Sequence, residues 1–236
     1  MDERQAFEGF PPEGFHFLQE LAVNNNREWF QEHKQDYIDY LQTPAVSLVV
    51  ELGERLKSEF PGIAYDLRTN GAGSIMRIYR DIRFSKDKTP YKNHIGINFW
   101  EGRQKKGSPG FHLFMDSGGA AFYGGYHSFA KEYLTAYREA VANNDSGEEL
   151  RMALDHLGKV QGFEFGGEQL KRVPPGYDRD SPRGDLLRYK GLWVKSPKLD
   201  LKILHSPELV DTCAASAHTM GTIHRWFVEV NHTVTR

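Results

Sequence analysis

Apolar residues fall at helical spacing from the start of the chain to about residue 60. Phe17, Leu18 and Leu21 form one stripe, and Trp29, Phe30, Tyr37, Ile38 and Leu41 form another. This pattern predicts successive amphipathic helices over 12–60. Asn25, with Glu28 three residues on, has the form of a helix cap and its reciprocal acid. Thr43-Pro44 predicts a fresh start, because Pro at the first helical position gives up no needed donor. That helix is expected to turn Val46, Val49, Val50, Leu52 and Leu56 inward and to end near Pro61-Gly62.

Over 63–126 the period shortens towards two, which predicts strands at 75–84, 95–100, 111–115 and 121–126. Gly71-Ala72-Gly73, Gly107-Ser108-Pro109-Gly110 and Gly118-Gly119 punctuate them. These connections are too short for parallel crossovers, so an antiparallel meander is expected. The helical period returns over 128–157, with Ser128 as a cap, Phe129, Tyr133, Leu134, Tyr137 and Val141 as the buried stripe, and Ser146-Gly147-Glu148-Glu149 as a capping box. Within 160–197 the Gly- and Pro-rich residues 163–185 read as an ordered loop or short strands and 192–194 as one more strand, and Ser206-Pro207-Glu208 opens a last helical region over 206–232. The sum is a single α+β domain over 1–236, with a mostly antiparallel sheet in the middle of the chain packed by amino-terminal and carboxy-terminal helices.

Composition narrows the class. Of 236 residues, 39% are hydrophobic and 13% aromatic, enough for a core and unlike a disordered chain. Thirty basic against 32 acidic residues give −2, so any preference for anions must be local. The single cysteine, Cys213, excludes an intrachain disulfide and any multi-cysteine metal site, and a buried, inert thiol is expected there. The first residues lack the apolar run of a signal peptide, and no window approaches a spanning helix. A cytoplasmic protein with no membrane partner is expected.

One segment departs from the average. Arg77-Ile-Tyr-Arg-Asp-Ile-Arg-Phe-Ser-Lys-Asp-Lys-Thr-Pro-Tyr-Lys92 holds six basic and two acidic residues, a local +4 that leaves −6 for the rest. Strand alternation would place Arg77, Tyr79, Asp81 and Arg83 on one side and Ile78, Arg80, Ile82 and Phe84 on the other. Arg80 would then sit among apolar neighbours, where a guanidinium must be paired or line a cavity. Candidate partners are Asp81 or Glu28. The following Ser85–Pro90 turn presents Lys86 and Lys88. Arginine forks and lysine point charges at one loop suit phosphate or carboxylate. The alternative is a solvated edge strand whose charges deter pairing with other chains.

That motif, together with FEGFPPEGFHFL at the amino terminus, NNREWF at Asn25 to Phe30 and LKRVPPGY at Leu170 to Tyr177, resembles a widespread bacterial family of conserved hypothetical proteins, domain of unknown function 2461. The likeness covers nearly the whole chain. It implies one intact domain and carries over no reaction, cofactor or catalytic residue. The family pattern has His-Pro after LKRVPPGY, whereas this chain has Ser181-Pro182, so no histidine role transfers there.

The expected ligand-binding set is therefore Arg77, Tyr79, Arg80, Asp81, Arg83, Lys86, Asp87, Lys88, Tyr91, Lys92 and His94, joined by Lys171 and Arg172 if the second basic stretch folds over the first. Ten histidines include no HExxH or HxH, and His112 with Asp116 would need a third ligand to hold a metal. No phosphate loop, dinucleotide fingerprint or serine elbow is present. The leading expectation is a domain binding a small phosphate- or carboxylate-bearing molecule, with or without an enzymatic step. Two others stand beside it: a structural or protein-interaction domain with an internal ion-pair network, and a nucleic-acid-binding module that stacks bases on Tyr79, Phe84, Tyr91 or Trp100.

Overall fold

The computed structural model describes residues 6–234. Its helices are α1 Pro12–Val23, α2 Arg27–Glu32, α3 Lys34–Tyr37, α4 Thr43–Glu59, α5 Lys131–Ala142, α6 Asn144–Leu157, α7 Gly184–Leu187, α8 Leu201–Leu204, α9 Glu208–Thr219 and α10 Gly221–Val234. Strands β1 Ile63–Ala64, β2 His94–Glu101, β3 Gly110–Asp116, β4 Gly119–Gly125, β5 Glu164–Gly166 and β6 Trp193–Lys195 form one sheet in the order β1-β2-β3-β4-β6-β5. The fold is α+β, with an antiparallel sheet flanked in sequence by helices at both ends. The chain divides into two compact units.

The first unit holds the residues up to Phe99 together with His112–Phe122 and Lys198–Ala215. Its helices begin as the apolar pattern requires, with Phe15, Phe17, Leu18 and Leu21 of α1 buried. The cap of α2 is Asn26 and not Asn25, its side chain accepting the Trp29 amide at 3.0 Å. No fresh start occurs at Thr43 either. Residues Ile38–Gln42 form a π turn that runs from α3 straight into α4. Pro44 explains this: it has no N–H, and its ring crowds the carbonyl four residues back, so the turn widens. The Thr43 amide accordingly reaches Ile38 O, five residues back. The displaced carbonyl of Tyr40 lies 2.7 Å from where a Cβ on Gly14 would stand. Val49, Leu52 and Leu56 are buried as expected, whereas Val46 and Val50 are half-exposed and line a groove.

The amino-terminal FEGF segment docks on α8. Phe10 N–H donates to Leu204 O at 2.8 Å, and His205 Nδ1 donates to Phe10 O at 2.6 Å. Gly9, at φ +103°, permits this approach, since a Cβ there would lie 2.4 Å from the His205 carbonyl carbon. Along β2, Ile95, Ile97 and Phe99 are buried while His94 and Asn98 are half-exposed; along β3, Leu113 and Met115 alternate with half-exposed His112, Phe114 and Asp116.

The second unit holds Trp100–Phe111, Tyr123–Pro197 and the residues from Ser216 on. In it β6 pairs antiparallel with β4 and with β5, so Tyr123, Lys195 and Glu164 stand in one row. Helices α5, α6 and α10 pack together through buried aromatics whose polar ends are satisfied: Tyr133 Oη donates to Phe227 O at 3.0 Å and Trp226 Nε1 to Ser146 O at 2.8 Å. Neither expected cap is used. α5 starts at Lys131 without a side-chain cap, beyond Ser128, and α6 is capped by Asn143. Ser146 lies inside α6, where its carbonyl and hydroxyl both receive the Trp226 indole. Arg183 is buried at the end of α5, donating from Nε to Val141 O at 2.8 Å and from Nη2 to Asn144 Oδ1 at 3.1 Å.

Candidate functional site

The basic segment is a broken hairpin arm and not the regular strand expected over 75–84. It meets the following chain at two isolated antiparallel bridges, Ile75↔Ile97 and Tyr79↔Tyr91. From one bridge to the next there are four steps along the first arm and six along the second, so the second arm bulges between Tyr91 and Ile97. Backbone bonds follow the same two registers: Met76 N to Gly96 O and, beyond the bulge, Arg80 N to Pro90 O, each 2.8 Å. Past Arg80 the pairing stops, and a loop carries the chain from Asp81 to Thr89.

One face of the arm belongs to the core. Tyr91 is buried and stacks on Phe30 of α2 with centroids 4.1 Å apart, and Tyr79 lies 5.2 Å from Tyr91. Asn25, freed from capping, clamps Tyr91 from both sides: its Oδ1 accepts the Tyr91 amide at 3.0 Å and its Nδ2 donates to the Tyr91 carbonyl at 2.9 Å. The NNREWF motif thus supplies a clamp, a cap and a stacking ring in succession. Burial raises the pKa of Tyr91.

Arg80 is not in an apolar setting. It is half-exposed, and its guanidinium bonds Asp87 at 2.5 Å and the carbonyl and hydroxyl of Thr89, a partner in neither of the expected positions. Asp81 instead holds Arg83, at 2.7 Å to Nη2 and 2.9 Å to Nε. Both acids are fixed as carboxylates with pKa values of about 2. For Asp81 the Arg83 side chain is the largest cause, and for Asp87 it is the Thr89 amide, followed by Arg80. Lys88 Nζ closes the loop on Ile82 O at 2.9 Å. Phe84, placed inward by simple alternation, is 95% exposed, because the pairing that would alternate it has already ended.

The remaining cations behave differently. Arg77, Lys86 and Lys92 have no ion-pair partner among the described residues, nor do Lys171 and Arg172, which lie exposed or at the surface of the second unit's loop. That loop joins the other half of its own basic stretch, with Leu170 N bonding Arg188 O at 2.8 Å. Lys92 Nζ donates to Arg77 O at 2.8 Å. Its pKa is lowered, first by burial and then by the Arg77 charge. His94 follows at the start of β2, and its pKa is also lowered, first by burial, then by Lys92, with Arg80 adding and Asp116 opposing.

The sequence gives little hint of what borders this cluster. The His94 ring lies 4.8 Å from Phe114, and His112 Nδ1 lies 3.0 Å from Asn98 Oδ1. Gly96, between them on β2, admits both neighbours; a Cβ there would stand 2.6 Å from Met76 Sδ and 2.9 Å from His112 Cε1. His94, Asn98, His112, Phe114 and Asp116 therefore line a half-open sheet face. Only the register of β2 against β3 brings them together, although each strand carries a polar pair four residues apart, His94 and Asn98 on β2 and His112 and Asp116 on β3. Among the described residues no three His, Cys, Asp or Glu side chains are grouped to hold a metal, and no helix is long and apolar enough to cross a membrane.

The architecture is an α+β fold in which, within the first unit, a polar sheet face adjoins a self-stitched basic hairpin. The chain belongs to the family of conserved hypothetical proteins DUF2461, whose sequence profile matches residues 13–226. No curated protein matches it.

Proposed function

We propose that the chain is a soluble cytoplasmic domain that binds a phosphate- or carboxylate-bearing small molecule where Arg77, Lys92 and His94 meet the half-open sheet face. One observation carries the reading. Lys92 is half-buried with its ammonium on the Arg77 carbonyl at 2.8 Å, and neither Lys92 nor Arg77 has an ion-pair partner among the described residues. Like charges withdrawn from water repel, and an anion bound among them relieves both the repulsion and the desolvation. Arg80 and Arg83 contribute less, since each is already neutralised by its own carboxylate.

Thermal unfolding against a panel of phosphorylated metabolites, nucleotides and carboxylates tests this. A ligand at about 100 times its Kd adds ~2.7 kcal/mol, a rise of about 5–10 °C for a chain of this size. Arg77→Ala and Lys92→Met are expected to remove the rise while leaving the protein folded. A rise that survives both variants, or none across the panel, overturns the site.

A second reading rests on the Arg80–Asp87–Thr89 stitch, which suits an internal ion-pair network. It predicts that Arg80→Met destabilises the protein and leaves any anion-induced rise intact. For a nucleic-acid ligand the rise would occur with an oligonucleotide and collapse in moderate salt.

A further inference from the structure

The hairpin loop has a feature that anion binding does not use. Its tip is held from within by Arg80–Asp87, by Asp81–Arg83 and by Lys88 Nζ on Ile82 O, yet it presents Phe84 almost wholly to solvent. The Arg83 guanidinium lies 5.9 Å from the ring centroid. A loop braced by its own side chains has less conformational entropy to lose on docking, which suits an exposed ring to act as an interface anchor. A phosphate backbone or an anionic membrane would need several free cations around that ring. Here Arg80 and Arg83 are already paired with carboxylates, and of the two lysines without an ion pair among the described residues Lys88 turns its ammonium back onto the Ile82 carbonyl, which leaves Lys86 beside the ring.

The same unit carries a complementary surface. A groove of about 490 Å³ runs beside α4, lined by Val46, Val50 and Leu67 and bordered by Glu51. The Glu51 carboxylate accepts the Phe7 amide at 2.6 Å and has no cationic partner among the described residues. The tip thus offers an aromatic ring beside an ammonium, and the groove an apolar trough beside a carboxylate, neither charge having an ion-pair partner among the described residues.

We propose that the chain associates head to tail with a second copy of itself, Phe84 of one molecule seated in the α4 groove of the next and Lys86 facing Glu51. The two surfaces differ, so the contact is heterologous and repeats from copy to copy. One ring buries only ~150–250 Å², far below the ~1,200 Å² of a stable interface. Association is therefore weak and shows at high protein concentration.

Sedimentation velocity at low micromolar and at several hundred micromolar protein tests this. The wild-type weight-average coefficient rises with concentration, and Phe84→Ser, a change at an exposed position that leaves the fold intact, holds it at the monomer value. Val50→Arg blocks the groove; should it unfold the protein, Glu51→Lys is read instead. Neither variant self-associates, but a mixture of Phe84→Ser, with its intact groove, and the groove variant, with its intact tip, forms a one-to-one dimer. A wild-type monomer at every concentration overturns the proposal, as does a mixture that stays monomeric. So does a Phe84→Ser defect confined to binding of a short oligonucleotide or of phosphatidylserine vesicles.

Discussion

Asn25 gives the sharpest energetic test of how the basic hairpin is held. Its side chain makes two bonds to one peptide unit, at 3.0 Å from the Tyr91 amide and at 2.9 Å to the Tyr91 carbonyl. Tyr91 is 2% exposed, so removing the clamp leaves a donor and an acceptor with little access to water. Each such orphan costs ~1–3 kcal/mol, and partial hydration from the half-exposed Asn25 side trims the sum to about 2–4 kcal/mol. Asn25→Ala should therefore lower Tm by about 4–16 °C for a chain of this length. The neighbouring Asn26→Ala removes only a helix cap, worth ~1 kcal/mol, and serves as the control. Chemical denaturation of both variants gives the two free energies, and hydrogen exchange reads the Tyr91 amide directly. If Asn25→Ala costs no more than Asn26→Ala and the Tyr91 amide stays protected, the clamp does not hold the hairpin.

Other outcomes follow from single groups. Arg183→Met orphans Val141 O and Asn144 Oδ1 at the end of α5 and should cost ~2–4 kcal/mol in chemical denaturation, with Arg183→Lys recovering little because an ammonium lacks the planar fork. Asp87, with a pKa of about 2, lies below the unfolded value of ~3.9. Its contribution to the loop is complete above ~3.9 and is lost as pH falls towards 2, so the Thr89 amide resonance should titrate near 2; a midpoint near 4 contradicts the stitch. His94 has a lowered pKa, so the unfolded chain binds more protons there, and stability should rise with pH from that lowered value up to ~6.5. Its ring titration by NMR should move upward when an anion binds beside Lys92, and no movement in the presence of a stabilising anion would place that anion elsewhere. Cys213 is wholly buried with a raised thiol pKa, so a disulfide reagent should find no thiol in the native protein and one after denaturation.

Periodicity located the longer helices and the β2-β3-β4 meander because burial of one face is a local property of the chain, and it missed the four-residue helices α7 and α8, which are too short to show a period. It failed where partners lie far away in sequence. Asn25 has the chemistry of a cap, and only the arrival of Tyr91, 66 residues on, converts it into a clamp. Alternation assigned Arg80 and Phe84 to the inside on the premise of a continuous strand, but the loop after Arg80 is organised by Asp87 and Thr89 bonding within the turn. Thr43-Pro44 has the form of a start because proline suits that position, yet a π turn accommodates the same ring inside a continuing helix. Of the candidate site, the cations were legible as a charge excess. His112, Asn98 and Phe114 were not, since nothing local aligns β3 with β2.

The π turn also links two distant positions in a way that constrains their history. Pro44 keeps the Tyr40 carbonyl pushed outward, and that carbonyl occupies the space a Cβ on Gly14 would need. While the proline stands, alanine at 14 meets backbone oxygen at 2.7 Å, which cannot give way as the nearby Leu41 side chain can. Once the proline is replaced, the turn is free to close to ordinary α spacing and withdraw the oxygen. A lineage can therefore shed the glycine only after it has shed the proline, and the order of the two changes is not interchangeable.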